Sequence, residues 1–140
     1  MTTLKMDIAA LNTFFAKEFP QADKSFIIED LTPELTRIRL QVTDAHLRPG
    51  GTVSGPAMFM LADVGIYVAV LAHIGPVALA VTTNANIDFM RKPVAGADLL
   101  AEVRMLKVGR SLAVGDVLIF SEGQADPVAR SSMTYAIPPR

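Results

Sequence analysis

The chain reads as an α+β domain: a curved, mostly antiparallel sheet of five or six strands wrapped around one long buried helix, with a further helix at the N-terminus. Three observations predict this. Gly55–Ala72 is apolar nearly all round and ends at Gly75-Pro76, so it must be covered on most sides. Segments of strand character follow it in close succession, broken by short Gly- and Pro-containing turns. Hydrophobic residues make up 51% of the 140 residues although aromatics supply only 6%, enough aliphatic surface for one core. The economical solution is a sheet curved over the helix, and the whole of 1–140 is expected to form one domain.

The elements are justified in order. Leu4, Ile8, Leu11 and Phe15 recur at helical spacing in Leu4–Phe19, and Pro20 ends that helix. Phe26–Glu29 is a short strand. In Thr36–Val42 the residues Thr36, Ile38, Leu40 and Val42 face one way and Arg37, Arg39 and Gln41 the other. Thr43–Thr52 is a loop around Pro49-Gly50-Gly51. Ser54 is a natural N-cap for the central helix, and Pro56 suits its first turn. Eighteen helical residues would span roughly 27 Å. Val77–Met90 reads as a long strand, Asp98–Val108 and Ser111–Phe120 as a hairpin through Gly109-Arg110, and Val128–Ile137 as the last strand before a frayed Pro138-Pro139-Arg140.

Composition excludes several functions. Net charge is −1 and the sequence pI is about 6.1, which argues against a general nucleic-acid binder. The absence of cysteine removes disulfides, thiolate catalysis and Cys-ligated metals. His46 and His73 lie far apart with no carboxylate cluster between them, so no metal site is expected. The greasy helix is interrupted by Asp63, His73 and Gly75-Pro76, unlike a membrane span. The N-terminus has no basic start followed by a long apolar core, and a cytoplasmic location is expected. High apolar content and exposed sheet edges point to a homo-oligomer.

Asp63 is the only formally charged residue between Arg48 and Asp88. A carboxylate on an apolar helix is costly to desolvate unless paired or protonated, and it is a weak helix former. A compensating role is required, and general-base chemistry is one.

Three segments together resemble hotdog-fold acyl-CoA thioesterases of the phenylacetic-acid-degradation (PaaI-like) family: H-L-R-P-G-G-T-V-S-G-P-A-M-F-M-L-A-D, V-T-T-N-A-N-I-D-F-M-R-K-P and G-R-S-L-A-V-G-D-V. The resemblance covers about Thr36 to Tyr135. It implies a hotdog fold and thioester hydrolysis at a subunit interface, in a homodimer or a tetramer built from two dimers. Asp63 would be general base or nucleophile, and the Gly55 N–H the oxyanion donor. Thr82, supplied across the interface, and Asn84 would assist. No metal or redox cofactor is implied, coenzyme A being part of the substrate. This chain departs from the family in having Ser54 where a His precedes the glycine and Arg48 where an Asn stands in the loop. Arg91, Lys92 and Arg110, with Arg104 and Lys107 behind them, are candidates for coenzyme A phosphates, although solvated strand ends carry such residues too. Met58, Met60 and Met90 are candidates for an acyl pocket, against the commoner use of Met as core filler. Two other readings stay open: a non-hydrolytic acyl-CoA or lipid-like ligand binder, and a dehydratase using His46, which is otherwise a solvated loop residue. Ser54 is otherwise a plain N-cap.

Overall fold

The computed structural model describes residues 3–22 and 24–139; Arg140, the end of the expected frayed tail, lies outside them. The order of elements is α1 (Ile8–Glu18), β1 (Phe26–Leu31), β2 (Thr36–Leu40), a short 3-10 turn (Asp44–His46), α2 (Gly55–Ile74), β3 (Val81–Phe89), β4 (Leu99–Val108), β5 (Leu112–Ser121) and β6 (Ala129–Ala136). The strands form one six-stranded sheet in the order β1-β2-β4-β5-β6-β3, antiparallel at every pairing. The sheet curves around α2, the hotdog arrangement.

Local chemistry sets the boundaries. Ser54 caps α2 by accepting from the Ala57 N–H at 3.2 Å, and Gly75, at φ 99°, closes the other end by donating to Leu71 O. The helix runs two residues past the expected Ala72, to Ile74. His73, adequately explained by the helix dipole in the sequence, is buried: its Nδ1 lies 2.7 Å from Ala69 O and its Nε2 3.2 Å from Pro33 O, tying the end of α2 to the β1–β2 turn. α1 begins at Ile8 rather than Leu4. Asp7 caps it by accepting from Ala10 N at 2.8 Å, while the N–H groups of Lys5 and Met6 bond to Ala72 O instead of entering a helix. β3 begins at Val81, four residues later than expected, because Val77–Ala80 forms a turn closed by Ala80 N to Val77 O.

α2 is buried along most of its length. It is long and apolar enough to cross a membrane by composition, but 72% of its apolar window is covered within the fold. The helix sits very close to the sheet where side chains are missing. A Cβ on Gly65 would stand 2.9 Å from Val103 Cγ2, and one on Gly115 2.7 Å from Ile66 Cδ1 and 2.8 Å from Met105 Sδ. These two glycines let helix and strands meet at a distance that larger residues forbid. On α1, Leu11 and Phe14 are the buried residues.

Gly115→Val is expected to destabilise the fold by about 1–3 kcal/mol through overpacking, read as a lower denaturation midpoint. An unchanged midpoint would mean that α2 does not approach β5 this closely.

Candidate active site

Asp63 lies in the middle of α2, half-buried on its flank. Its Oδ1 accepts two hydrogen bonds, from Thr82 Oγ1 and from Tyr135 Oη, each 2.6 Å long. Tyr135 Oη also lies 3.3 Å from the Asp63 backbone carbonyl. Among the described residues no cation pairs with Asp63, and Oδ2 takes no hydrogen bond from the protein. The desolvation cost that the sequence exposes is therefore offset by two neutral hydroxyl donors. Hydrogen bonds to a charged acceptor contribute roughly 1.5–3 kcal/mol each.

Thr82 and Tyr135 converge because they are cross-strand partners on β3 and β6. Simple alternation along β3 would put Thr82 on the face opposite Phe89. The register of β3 against β6 shifts between Thr82 and Asn84, and this bulge inserts one residue and reverses the alternation. Thr82 thereby shares the inner face with Ala85, Ile87 and Phe89. This corrects one expectation: Thr82 reaches Asp63 within one chain, not across a subunit boundary. Asn84, paired with Thr134, falls on the exposed outer face of the same strand.

Burial, and next the hydrogen bond to Asp63, push the Tyr135 phenol far above the ordinary tyrosine range. Tyr67 is also raised, by burial and then by the charge of Glu18. Its ring lies 6.1 Å from that of Tyr135, and its hydroxyl donates to Ala78 O at 2.9 Å. Sequence reading did not single out Tyr135. A signal existed: it is one of only two tyrosines and alternates in register with Ser131 and Met133 on the inner face of β6. A buried phenol requires a partner.

Gly55 opens α2, so its N–H has no helical carbonyl to bond. The Phe89 ring packs against it, with Cζ 3.3 Å from where a Cβ would stand. Asp63 follows eight residues later, roughly 12 Å along the axis. One chain therefore does not bring the carboxylate and the helix start to the same atom. Ser54 uses its hydroxyl as the cap. Arg48 is exposed in a tight turn, where its N–H donates to Thr52 O and its carbonyl accepts from Gly51 N. Gly50 and Gly51 hold positive φ there.

His46 is not a solvated loop residue. It is 5% exposed, its Nδ1 accepts from the Thr43 N–H at 2.9 Å, and its carbonyl accepts from Ser54 N. It braces the loop before α2, and within one chain no hydrogen bond joins it to Asp63. The basic candidates divide into two groups. Arg91, which donates to Pro127 O at 2.7 Å, and Lys92 follow Phe89 at the Gly55 end of β3. Arg110 sits in the β4–β5 turn, at the end where Leu112, Ala136 and Val81 align. All three are exposed, and within one chain they lie at opposite ends of the sheet. Of the methionines, Met58 is in the core, Met90 is exposed, and Met60 lines the cavity beside Asp63.

That cavity, about 600 Å³, is bordered by Asp63, Thr82, Tyr135, Tyr67, Met60 and Phe19 among others. Asp63, its Oδ1 held by neutral donors, borders this largely apolar space, which is open on one side. Such an arrangement suits water activation or attack on an acyl carbon.

Residues 50–128 match the family model described as the thioesterase superfamily. A solved protein from Silicibacter sp. TM1040, provisionally named a thioesterase, is 57% identical over 99% of this chain and 96% of its own, with a TM-score of 0.91. A mutant of the phenylacetic acid degradation protein PaaI from Thermus thermophilus is 27% identical over 81% of this chain and 94% of its own, with a TM-score of 0.70. A provisionally named esterase of Deinococcus radiodurans is 38% identical over 86 residues, 61% of this chain; the match spans 56% of that relative's length.

Both tyrosines carry raised values, whereas tyrosines in the unfolded chain ionise near pH 10. The unfolded state thus releases protons first, and their contribution to stability is present below about pH 10 and lost as pH rises beyond it. In an alkaline titration, phenolate absorbance is expected to appear together with unfolding. A phenolate step near pH 10 with the fold intact would contradict the buried Asp63–Tyr135 pairing.

Proposed function

The chain belongs to the thioesterase superfamily, and on that premise we propose that it hydrolyses acyl-CoA thioesters in a homodimer whose two sites each combine Asp63 of one copy with Gly55 of the other. The observation that carries this is Asp63 itself. Oδ1 is held by Thr82 and Tyr135, and Oδ2 is left for a water molecule. Oδ2 would take a proton as the water oxygen adds to the thioester carbonyl carbon. The carbonyl oxygen becomes an oxyanion facing the Gly55 N–H, at the positive end of a helix. Collapse breaks the C–S bond, and the proton passes to the leaving thiolate, giving carboxylic acid and thiol. Direct attack by Oδ2 on the carbonyl carbon would use the same groups, expelling the thiolate to give a mixed anhydride that water then hydrolyses, which releases the acid and restores the carboxylate. The scheme draws on no metal or redox cofactor.

Support for the dimer comes from β3. It is an edge strand, and an unpaired edge invites a second strand. Thr82 marks the Asp63 end of β3 and Phe89 the Gly55 end. Antiparallel pairing of two β3 edges about a two-fold axis near Ala85 and Asn86 would place Thr82 of one copy beside Phe89 of the other. That brings Asp63 to the second copy's Gly55. It would also bring Arg91 and Lys92 of one copy toward Arg110 of the other, reuniting the basic groups on one rim for coenzyme A phosphates.

A second reading, an acyl-CoA or lipid-like ligand binder without turnover, draws on Ser54 and Arg48, since one hydroxyl is spent on capping and the other side chain is exposed. Saturable acyl-CoA binding without release of thiol, with affinity retained in Asp63→Asn, would favour it.

Asp63→Asn is expected to lower kcat by roughly 10²–10⁴, the range of a lost general base, in a thiol-release assay over a panel of acyl-CoA esters. Gly55→Pro removes the oxyanion N–H at a helix-start position, its Cβ meeting the Phe89 ring at 3.3 Å, and, once circular dichroism shows it folded and dimeric, should be inactive as well. Mixing the two inactive variants should restore activity, because each mixed dimer holds one site with both native groups. No restoration in verified mixed dimers would refute the shared site.

A further inference from the structure

We propose that a second cavity beneath α1 receives the tail of the acyl group, and that Phe19 is the partition that sets how long that tail is. The inference rests on the thioesterase reading above and adds the substrate class: thioesters of extended aliphatic acyl groups.

The second cavity has a volume of about 400 Å³ and lies between α1, β1 and α2. Phe15, Ala16, Ile28, Ile38 and Val68 line it, and among the described residues that border it only Asn12 and Lys24 are polar. Both cavities fall in the range typical of small-molecule sites, roughly 300–1,000 Å³. They adjoin: Phe19, Ala22, Phe26 and Val64 border the cavity beside Asp63 as well as this one. Val64 directly follows Asp63 in the chain, and Val68, one turn on, continues the same helix face into the inner cavity.

An aromatic path joins the two spaces. Tyr135, which holds Asp63, lies against Tyr67, whose ring meets Phe19 edge-on at 6.0 Å and Phe15 edge-on at 5.6 Å. Phe19 and Phe15 stack at 6.1 Å. Phe19 is the most exposed member of this path. It is the C-cap of α1, beyond the last helical turn, and is 40% exposed, whereas Tyr67 is 7% exposed and hydrogen-bonded. From the carbonyl at Asp63 toward the inner cavity stand Val64, Phe19, Phe26 and Val68, with the polar Glu18 and Gln21 bordering the outer cavity. An acyl tail is the occupant that fits. Its carbonyl is fixed at the carboxylate by the reaction, and each further methylene gains apolar burial. The full-length phenyl ring of Phe19 limits that gain to the outer cavity.

The test compares wild type, Phe19→Ala and the double variant Phe19→Ala with Ala16→Phe on saturated acyl-CoA esters of increasing length. Ala16 is an exposed position on α1 that borders only the inner cavity, so the added ring fills that space without entering the core. Circular dichroism and thermal melting verify the fold of each. Burial of one methylene is worth roughly fourfold in an equilibrium. Phe19→Ala is therefore expected to raise the ratio of long-chain to short-chain kcat/KM by at least about tenfold, and Ala16→Phe to abolish that gain. A chain-length profile identical in all three folded proteins overturns the subsite and leaves the hydrolase reading intact. If no ester is hydrolysed, that reading fails, and non-hydrolysable thioether analogues then test the cavity by calorimetry. Affinity that keeps rising with chain length in Phe19→Ala and levels off in the double variant upholds the subsite; the same plateau in all three refutes it.

Discussion

A twenty-residue helix with almost no polar face has to be surrounded, and the rest of the molecule is arranged to do so. No flat sheet covers such a helix, because a flat layer buries one side only. The six strands curve around it, and α1 with the segment before it closes the remaining side. The approach is close enough to require glycine on both partners, Gly65 on the helix and Gly115 on β5. Packing at that distance fixes the rotation of α2 about its axis, and with it the direction in which the single carboxylate points.

Asp63 sits at the edge of this enclosure rather than at its centre, and that decides how its charge is accommodated. A buried ion pair would bring a second desolvated charge and often no net stabilisation. Two hydroxyl donors fix one carboxylate oxygen without adding charge, and they leave the other without a hydrogen bond from the described residues. The charged pairs that the fold does use are elsewhere: Arg39 pairs with Glu29, Asp98 and Glu122 on the outer side of the sheet, and Arg37 with Glu102. These tie β2 to its neighbours.

Much of the fold was legible from patterning. The period of Thr36–Leu40, the Ser54 cap and the Gly75 stop are local signals, and local signals survive folding. The less accurate boundaries have tertiary causes: the start of α1 moved because Lys5 and Met6 bond to Ala72 of another element. Among the site residues, Asp63 was conspicuous because a charge among aliphatics is anomalous in any fold. His46 was misjudged because a loop histidine is usually solvated, and here the loop folds back on it. Arg110 and Arg91 looked equivalent in the sequence, yet strand order sends them to opposite ends of the sheet.

The sequence by itself determined that one apolar helix would be enclosed by strands and that its lone carboxylate would need compensation, since both follow from the cost of exposing apolar surface and of burying charge. Only the tertiary structure decided what compensates it. Thr82 and Tyr135 are 53 residues apart in the chain and become neighbours through the β3–β6 pairing. A one-residue bulge between them and Asn84 selects which face Thr82 presents. Side chains alternate with a period of two, so a single inserted residue exchanges inside for outside, and no composition or spacing rule reveals where a strand will place it.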